Sequence, residues 1–279
     1  MTQVTEPTSR AAAKARATRA PSKGWPKWAL GLIGIVVFLG LWELMPALGV
    51  VQARYLPPAS EVIAALVTDL GLTAFWVAVG DTMLAWAIGL AIAVVAALVL
   101  GLVIGVSPFL RRFTNSSIEF LRPIPSVALI PLAVLLFGIK IESSLLLIVY
   151  ACFWQVLIQV LYGVADVDNV AMQTARSYGF SYVQRVRDVV FPTMLPYLMT
   201  GIRLAAAVAL ILAITAELLI GTPGLGKEIA LAQSGGAISG MYALILATGF
   251  LGVAINGVTR VVEKRVLSWH PSVRGEATV

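Results

Sequence analysis

Residues 175–196, ARSYGFSYVQRVRDVVFPTMLP, form a polar stretch in a chain that is otherwise strongly apolar. The stretch contains three arginines, a glycine between two aromatic residues, and two prolines four residues apart. Apolar runs of membrane-spanning length lie on both sides of it. We therefore interpret it as a helical segment that lies outside the membrane and connects two transmembrane helices.

The composition of the whole chain predicts a multi-pass membrane protein. Of its 279 residues, 59% are hydrophobic and 12% are charged, against about 45–50% apolar and about 25% charged residues in soluble domains. A bilayer core needs about 20 apolar residues per helix. Six runs qualify, namely residues 28–51, 83–106, 117–138, 143–163, 197–220 and 242–262. We therefore expect an all-α membrane protein with six transmembrane helices.

The basic residues predict the orientation, because positively charged flanks stay in the cytoplasm. If both chain ends are cytoplasmic, only Arg54, Lys140 and Lys227 of the 20 basic residues lie outside. The third run is interrupted by Glu119, Arg122 and three prolines, but without it the two ends would lie on opposite sides. The net charge of +6 then faces anionic membrane lipid. Nucleic acid is not an expected partner, since the charge is spread along the chain.

The sequence offers little for catalysis or metal binding. His270 is the only histidine and lies in the C-terminal tail, and Cys152 is the only cysteine, so we expect neither a His/Cys metal cluster nor a Ser-His-Asp triad. Residues 221–228, GTPGLGKE, match the glycines and lysine of a phosphate-binding loop, but Glu228 stands where that motif needs Ser or Thr. We therefore expect no enzyme activity and no cofactor in this chain.

The polar stretch and the residues before it predict two short helices joined by a corner. Asp166 or Asp168 can cap the first helix, and Gly179 can end it in the left-handed conformation that glycine adopts easily. Ser181 and Gln184 form an S-x-x-Q capping box that would start the second helix.

The second of these helices is predicted to be amphipathic and to end at Pro192. Its apolar face comprises Tyr182, Val186, Val189 and Val190. Its opposite face carries Gln184, Arg185, Arg187 and Asp188. One apolar face and one charged face suit docking between a helix bundle and a soluble partner. The alternative is a helix that lies on lipid headgroups.

Residues 173–196 also resemble the cytoplasmic EAA loop of ABC importer permeases. That loop reads E-A-A, three residues, G, nine residues, I, one residue, L-P. Its alanine, glycine and first proline fall on Ala175, Gly179 and Pro192, and Pro196 matches a second common proline. The departures are Gln173, Thr174, Val189 and Phe191.

The resemblance extends over about residues 28–268. YLPPASEV, FLRPIPSVALIPLAVLLFGI, GVADVDNVAMQTARSYG, GIRLAAAVAL and AELLIGTPGLG are similar to successive segments of permeases that import sulfonates, taurine, nitrate and related small molecules. The resemblance thus implies a type I importer permease domain at 28–268, with a coupling loop at about 166–196. Residues 1–27 would be a disordered basic cytoplasmic tail, and residues 269–279 a second cytoplasmic tail.

The resemblance implies the partners as well. Two permease subunits, expected to be a homodimer in the bacterial inner membrane, would form the pathway for a small anionic solute. A cytoplasmic dimer of ATP-binding-cassette ATPases would hold ATP and Mg²⁺, and an extracytoplasmic binding protein would deliver the substrate. The residues implied in coupling to the ATPase are Ala175, Arg176, Ser177, Gly179, Ser181, Pro192 and Pro196.

Polar residues inside spans are costly and are therefore functional candidates. Gln155 and Gln159 in the fourth span, with Thr215 and Glu217 in the fifth, are expected to line the pathway. Interhelical hydrogen bonding is the alternative for each. For the whole chain, an ion-coupled secondary transporter, which should show an internal repeat, and a non-transporting membrane anchor are the competing functions.

Overall fold

The computed structural model describes residues 27–269, with side chains from residue 29 onward. The regular elements in this part of the chain are all helical. The two tails expected at 1–27 and 269–279 lie outside the described residues, except for residues 27 and 269. The chain divides into two compact units, Met1–Ala59 and Ser60–Val279.

The first unit contains one described helix, α1 (Lys27–Ala47). Its segment Ala29–Ala47 is long and apolar enough to cross a membrane. The helix ends four residues before the predicted boundary at 51, and Gly49 follows with a positive φ of 72°. In the segment beyond it, the Pro57 carbonyl accepts a hydrogen bond from Trp42 Nε1 at 3.0 Å.

The second unit is a helical bundle. Its elements, with α2 starting at the last residue of the first unit, are α2 (Ala59–Leu70), α3 (Thr73–Val106), α4 (Pro108–Leu121), a 3-10 turn (Ser126–Leu129), α5 (Ile130–Phe137), α6 (Ile141–Ala165), α7 (Asn169–Ser177), α8 (Tyr182–Ile220), α9 (Leu225–Ser234) and α10 (Ile238–Val266). The helices α1, α3, α6, α8 and α10 are each long and apolar enough to span, and α4 with α5 forms a bent sixth candidate. The predicted all-α membrane fold is confirmed.

The third predicted span, 117–138, is not one straight helix. The helix α4 and the segment Ser126–Phe137 meet at an angle of 81°. The bend falls at Pro123 and Pro125, which have no amide hydrogen to donate and whose rings clash with a continuing helix. The helix α4 also begins earlier than predicted, at Pro108, because the Ser107 side chain accepts the Leu110 amide and caps its start.

Pro192 does not end the second helix of the polar insert, as the sequence predicted. The helix continues without interruption for 39 residues, from Tyr182 to Ile220. Just before the proline the backbone forms a π-helical turn, Val186–Val190. Such a turn widens the helix and relieves the clash of a proline ring with the preceding turn. The Thr193 hydroxyl donates to the Val189 carbonyl at 2.8 Å, which satisfies an acceptor in this turn.

The core of the bundle is formed where α6 packs against α3 and α8. Glycines allow these helices to approach closely: a Cβ added at Gly163 would lie 2.8 Å from Met194 Cα, and one added at Gly101 would lie 2.6 Å from Val160 Cγ1. In addition, Trp86 Nε1 of α3 donates to a backbone carbonyl of α8 at 2.9 Å. These contacts join the three helices into one packed group.

Candidate functional site

The segment between α6 and α8 is attached to the bundle at its first residues. Asp166 accepts a hydrogen bond from the Tyr197 hydroxyl of α8 at 2.9 Å. Asp168 is the residue that caps α7, because its Oδ1 accepts the Val170 amide at 2.8 Å. The sequence left these two aspartates as alternative caps, and the structure assigns the cap to Asp168.

The corner between α7 and α8 has the geometry that the sequence predicted. Gly179 has a φ of 76°, in the left-handed region. Its amide donates to the Arg176 carbonyl at 3.0 Å, and the Phe180 amide donates to the Ala175 carbonyl at 3.0 Å. These two bonds form a Schellman motif, which ends a helix at a left-handed residue.

The capping box that starts α8 is also confirmed. The Ser181 side chain accepts the Gln184 amide at 3.3 Å, and the Gln184 Oε1 accepts the Ser181 amide at 2.7 Å. Only Phe180 lies between this box and the left-handed Gly179. The direction of the chain through the corner is therefore fixed by backbone hydrogen bonds on the α7 side and by side-chain-to-backbone hydrogen bonds on the α8 side.

The outer surface of this corner is apolar and exposed. We call it the aromatic tip, and it comprises Tyr178, Phe180, Tyr182 and Val183. Tyr178 is 79% exposed and Val183 is 72% exposed. On the apolar face that the sequence predicted for α8, Tyr182 is exposed, whereas Val190 is buried. Aromatic side chains left exposed beside polar ones are typical of protein interfaces.

The predicted coupling residues fall into two groups. Arg176, Ser177, Gly179 and Ser181 are exposed at the corner, and Ala175 is buried behind it. Pro192 and Pro196 are half-buried within α8. The structure brings the four exposed residues together as one surface. It places the two prolines further along the same continuous helix.

The polar residues expected in the pathway have different environments. Gln155 is exposed on α6, and Gln159 is half-buried beside Gly201 of α8. The Thr215 hydroxyl donates to the Ile211 carbonyl of its own helix at 2.7 Å. Of these three residues, Gln155 therefore has the side chain most available to a pathway or to a second subunit.

Glu217 is fully buried and connects three elements. Its Oε2 accepts hydrogen bonds from the Thr82 hydroxyl of α3 and from the Gly226 amide of α9, each at 2.9 Å. Thr82 in turn accepts the Leu225 amide at 2.9 Å. For Glu217 the structure shows interhelical hydrogen bonding, the alternative to a role in lining the pathway. Thr82 was not predicted from the sequence. The feature that could have indicated it is the polar pair at residues 81–82, directly before an apolar run.

The glycines of residues 221–228 fit the chain around this carboxylate. A Cβ at Gly224, where φ is 143°, would collide with the Glu217 carboxylate, and one at Gly226 would collide with the Ile214 carbonyl. In a phosphate-binding loop, backbone amides hold the phosphate, but here Glu217 occupies the Gly226 amide. The resemblance of this segment to such a loop is thus explained by packing.

Comparison with known proteins identifies the family. Residues 93–268 match the family described as "Binding-protein-dependent transport system inner membrane component". The chain belongs to this family. It is an ABC importer permease, and the family is one of transporter permease subunits and not of catalytic enzymes.

Curated relatives cover most of the permease. The taurine transport system permease protein TauC of Escherichia coli is 30% identical over 258 residues, which is 90% of this chain and 94% of the relative. The putative aliphatic sulfonates transport permease protein SsuC of Bacillus subtilis is 27% identical, with 89% and 90% covered. The nitrate import permease protein NrtB of Leptolyngbya laminosa is 25% identical, with 84% and 86% covered.

A solved structure supports the fold. The permease resembles a chain of the MetNI methionine ABC transporter in an inward-facing conformation, with a TM-score of 0.60 and 18% identity. The match covers 68% of this chain and 96% of that chain. The architecture is therefore that of a type I importer permease.

Proposed function

We propose that this permease forms half of the translocation pathway of an ATP-driven importer in the bacterial inner membrane and pairs there with a second copy of itself. The transported solute is a small anion of the sulfonate, taurine or nitrate type, which an extracytoplasmic binding protein delivers. The names of the relatives support this substrate class. Both termini are cytoplasmic, and so is the α7–α8 corner, whose arginines at 176, 185 and 187 suit that side.

The corner is the observation that carries the proposal. The aromatic tip docks onto a cytoplasmic ATP-binding-cassette ATPase, which holds ATP and Mg²⁺. Arg176 and Arg187 are exposed beside the tip, and Arg187 lies 3.7 Å from the Asp188 carboxylate, so the tip has a rim of charged residues. Interfaces commonly combine aromatic anchors with a polar rim that fixes orientation.

The coupling step follows from the continuity of α8. At 1.5 Å per residue its 39 residues extend for roughly 58 Å, which is longer than the bilayer core. One end of α8 carries Tyr182 and Val183 of the aromatic tip, and Glu217 near the other end holds the start of α9. A displacement of the tip by the closing ATPase pair is thus passed directly to the outer loop at residues 221–228.

The helix α6 moves together with α8 in this proposal. Gly163 lets the two backbones touch at Met194, and the hydrogen bond between Asp166 and Tyr197 joins them where α6 ends. Gln155 and Gln159 on α6, with Thr215 on α8, line the pathway beside this moving pair. Substrate selectivity comes mainly from the binding protein.

The test is purification of the permease from native membranes in mild detergent, with identification of the subunits that accompany it and an ATPase assay of the eluate. The proposal expects a soluble subunit with an intact phosphate-binding loop at about one copy per permease, together with ATPase activity. A permease that elutes alone and without activity would refute the proposal and would favour a partner-free secondary transporter.

A further inference from the structure

The helix α4 has two opposite faces of different chemistry. Phe109, Phe113 and Phe120 lie within about 40° of one another at 100° per residue, and each is 73% exposed. The opposite face carries Arg111 and Asn115. The aromatic face is suited to contact with lipid acyl chains, and the opposite face is suited to contact with polar groups.

The polar face of α4 borders a cavity of about 460 Å³. Arg111, Asn115 and Glu119 line it from α4, Arg122 lines it from the turn that follows, and Tyr162 lines it from α6. Two arginines against one glutamate leave the lining positively charged. Within residues 29–269, neither arginine forms a salt bridge, while Glu119 accepts a hydrogen bond from Asn115 Nδ2 at 2.9 Å.

The rest of the lining is apolar and shows where the cavity lies. Ile104 comes from the last turn of α3, Ile118 from α4, and Ile158 and Leu161 from the last turns of α6. The cavity is therefore at the end of the bundle from which α7 and the aromatic tip continue. An apolar wall next to two arginines fits a molecule that has both an anionic head and a hydrocarbon chain.

We propose that this cavity binds the phosphate headgroup of an anionic glycerophospholipid. Arg111 and Arg122 pair with the phosphate, and the isoleucine and leucine side chains contact the start of an acyl chain. Basic pockets between membrane helices at the cytoplasmic side are suited to such headgroups. The assignment to the inner leaflet, but not the site itself, rests on the orientation given under Proposed function. The bound lipid joins α4 to α6 just before the coupling corner.

The test is native mass spectrometry of the purified full chain, with the subunits that accompany it, titrated with dioleoylphosphatidylglycerol or dioleoylphosphatidylcholine. Arg111→Gln and Arg122→Gln should each reduce retention of phosphatidylglycerol about fivefold, which corresponds to the roughly 1 kcal/mol that one basic residue contributes near an anionic surface. Arg112→Gln is the matched control, because Arg112 has the same charge but does not line the cavity. Glu119→Gln should raise retention, which keeps the test decisive if an arginine variant misfolds.

Each alternative gives a different result. Equal loss from Arg112→Gln would show a general charge effect and would overturn the site. Equal retention of phosphatidylcholine would overturn the role of headgroup charge. Displacement of phosphatidylglycerol by inorganic phosphate alone would identify a site for a free anion and not for a lipid. Failure to co-purify with an ATPase would bear on the proposed function only, since lipid retention is measured on the permease itself.

Discussion

Replacement of Gly179 by alanine tests the coupling corner against a matched site in the same chain. Gly236, between α9 and α10, has a φ of 73° against 76° for Gly179, and a Cβ at either position would meet no atom within 4 Å. Both glycines end a helix with the same pair of backbone hydrogen bonds. An alanine at either site therefore has only a backbone cost, about 1 kcal/mol for the left-handed conformation.

The two variants should then be equally stable but should differ in coupling. Docking needs the left-handed corner, which alanine disfavours by about 1 kcal/mol, so binding of the ATPase subunit to Gly179→Ala weakens about fivefold, since 1.4 kcal/mol corresponds to a tenfold change. The assay is the amount of ATPase subunit recovered per permease, with the ATP hydrolysis rate in proteoliposomes. Gly236→Ala should leave both values unchanged. Equal coupling loss from the two variants, or none from Gly179→Ala, would show that the left-handed corner has no specific role in coupling.

Three further predictions each concern one residue. Glu217→Ala should lower the thermal unfolding temperature in detergent, because the buried Thr82 hydroxyl and Gly226 amide lose their acceptor, at a cost of about 1–3 kcal/mol each. Glu217→Gln keeps an acceptor and should be less destabilising, so an equal fall in unfolding temperature for both variants would contradict the network. Gly163→Ala should reduce the folded yield by overpacking α6 against α8, at about 1–3 kcal/mol, whereas Gly257→Ala, which meets open space, should not. Asp168→Ala should remove a helix cap worth about 1 kcal/mol and speed tryptic cleavage after Arg176, whereas Asp168→Asn should keep the cap and the slow cleavage. The same cleavage rate for both variants would argue against the cap.

Local signals made the corner predictable. The left-handed glycine and the S-x-x-Q box depend on residues that are near one another in sequence, so the same residues specify the turn wherever it is placed. The number of spans was likewise readable from apolar run length. The family resemblance added the partners, which the residues alone do not identify.

Features that depend on distant contacts were not predictable. Thr82 and Glu217 are 135 positions apart, and nothing in either segment indicates the other. Pro192 is ordinarily a sign that a helix ends, but here the π turn before it and the packing of α8 on α6 keep the helix continuous. The prolines of the third span were visible, but the 81° angle between its two parts depends on how each part packs.

Site-specific photo-cross-linking in native membranes tests whether the α7–α8 corner contacts the ATPase. A photoreactive amino acid would replace Tyr178, which is 79% exposed at the aromatic tip, or Val67, which is 64% exposed on α2. We predict that position 178 yields an adduct with a subunit that has a phosphate-binding loop, and that position 67 does not. No such adduct at position 178, or the same adduct from both positions, would contradict the assignment of the α7–α8 corner as the contact with the ATPase.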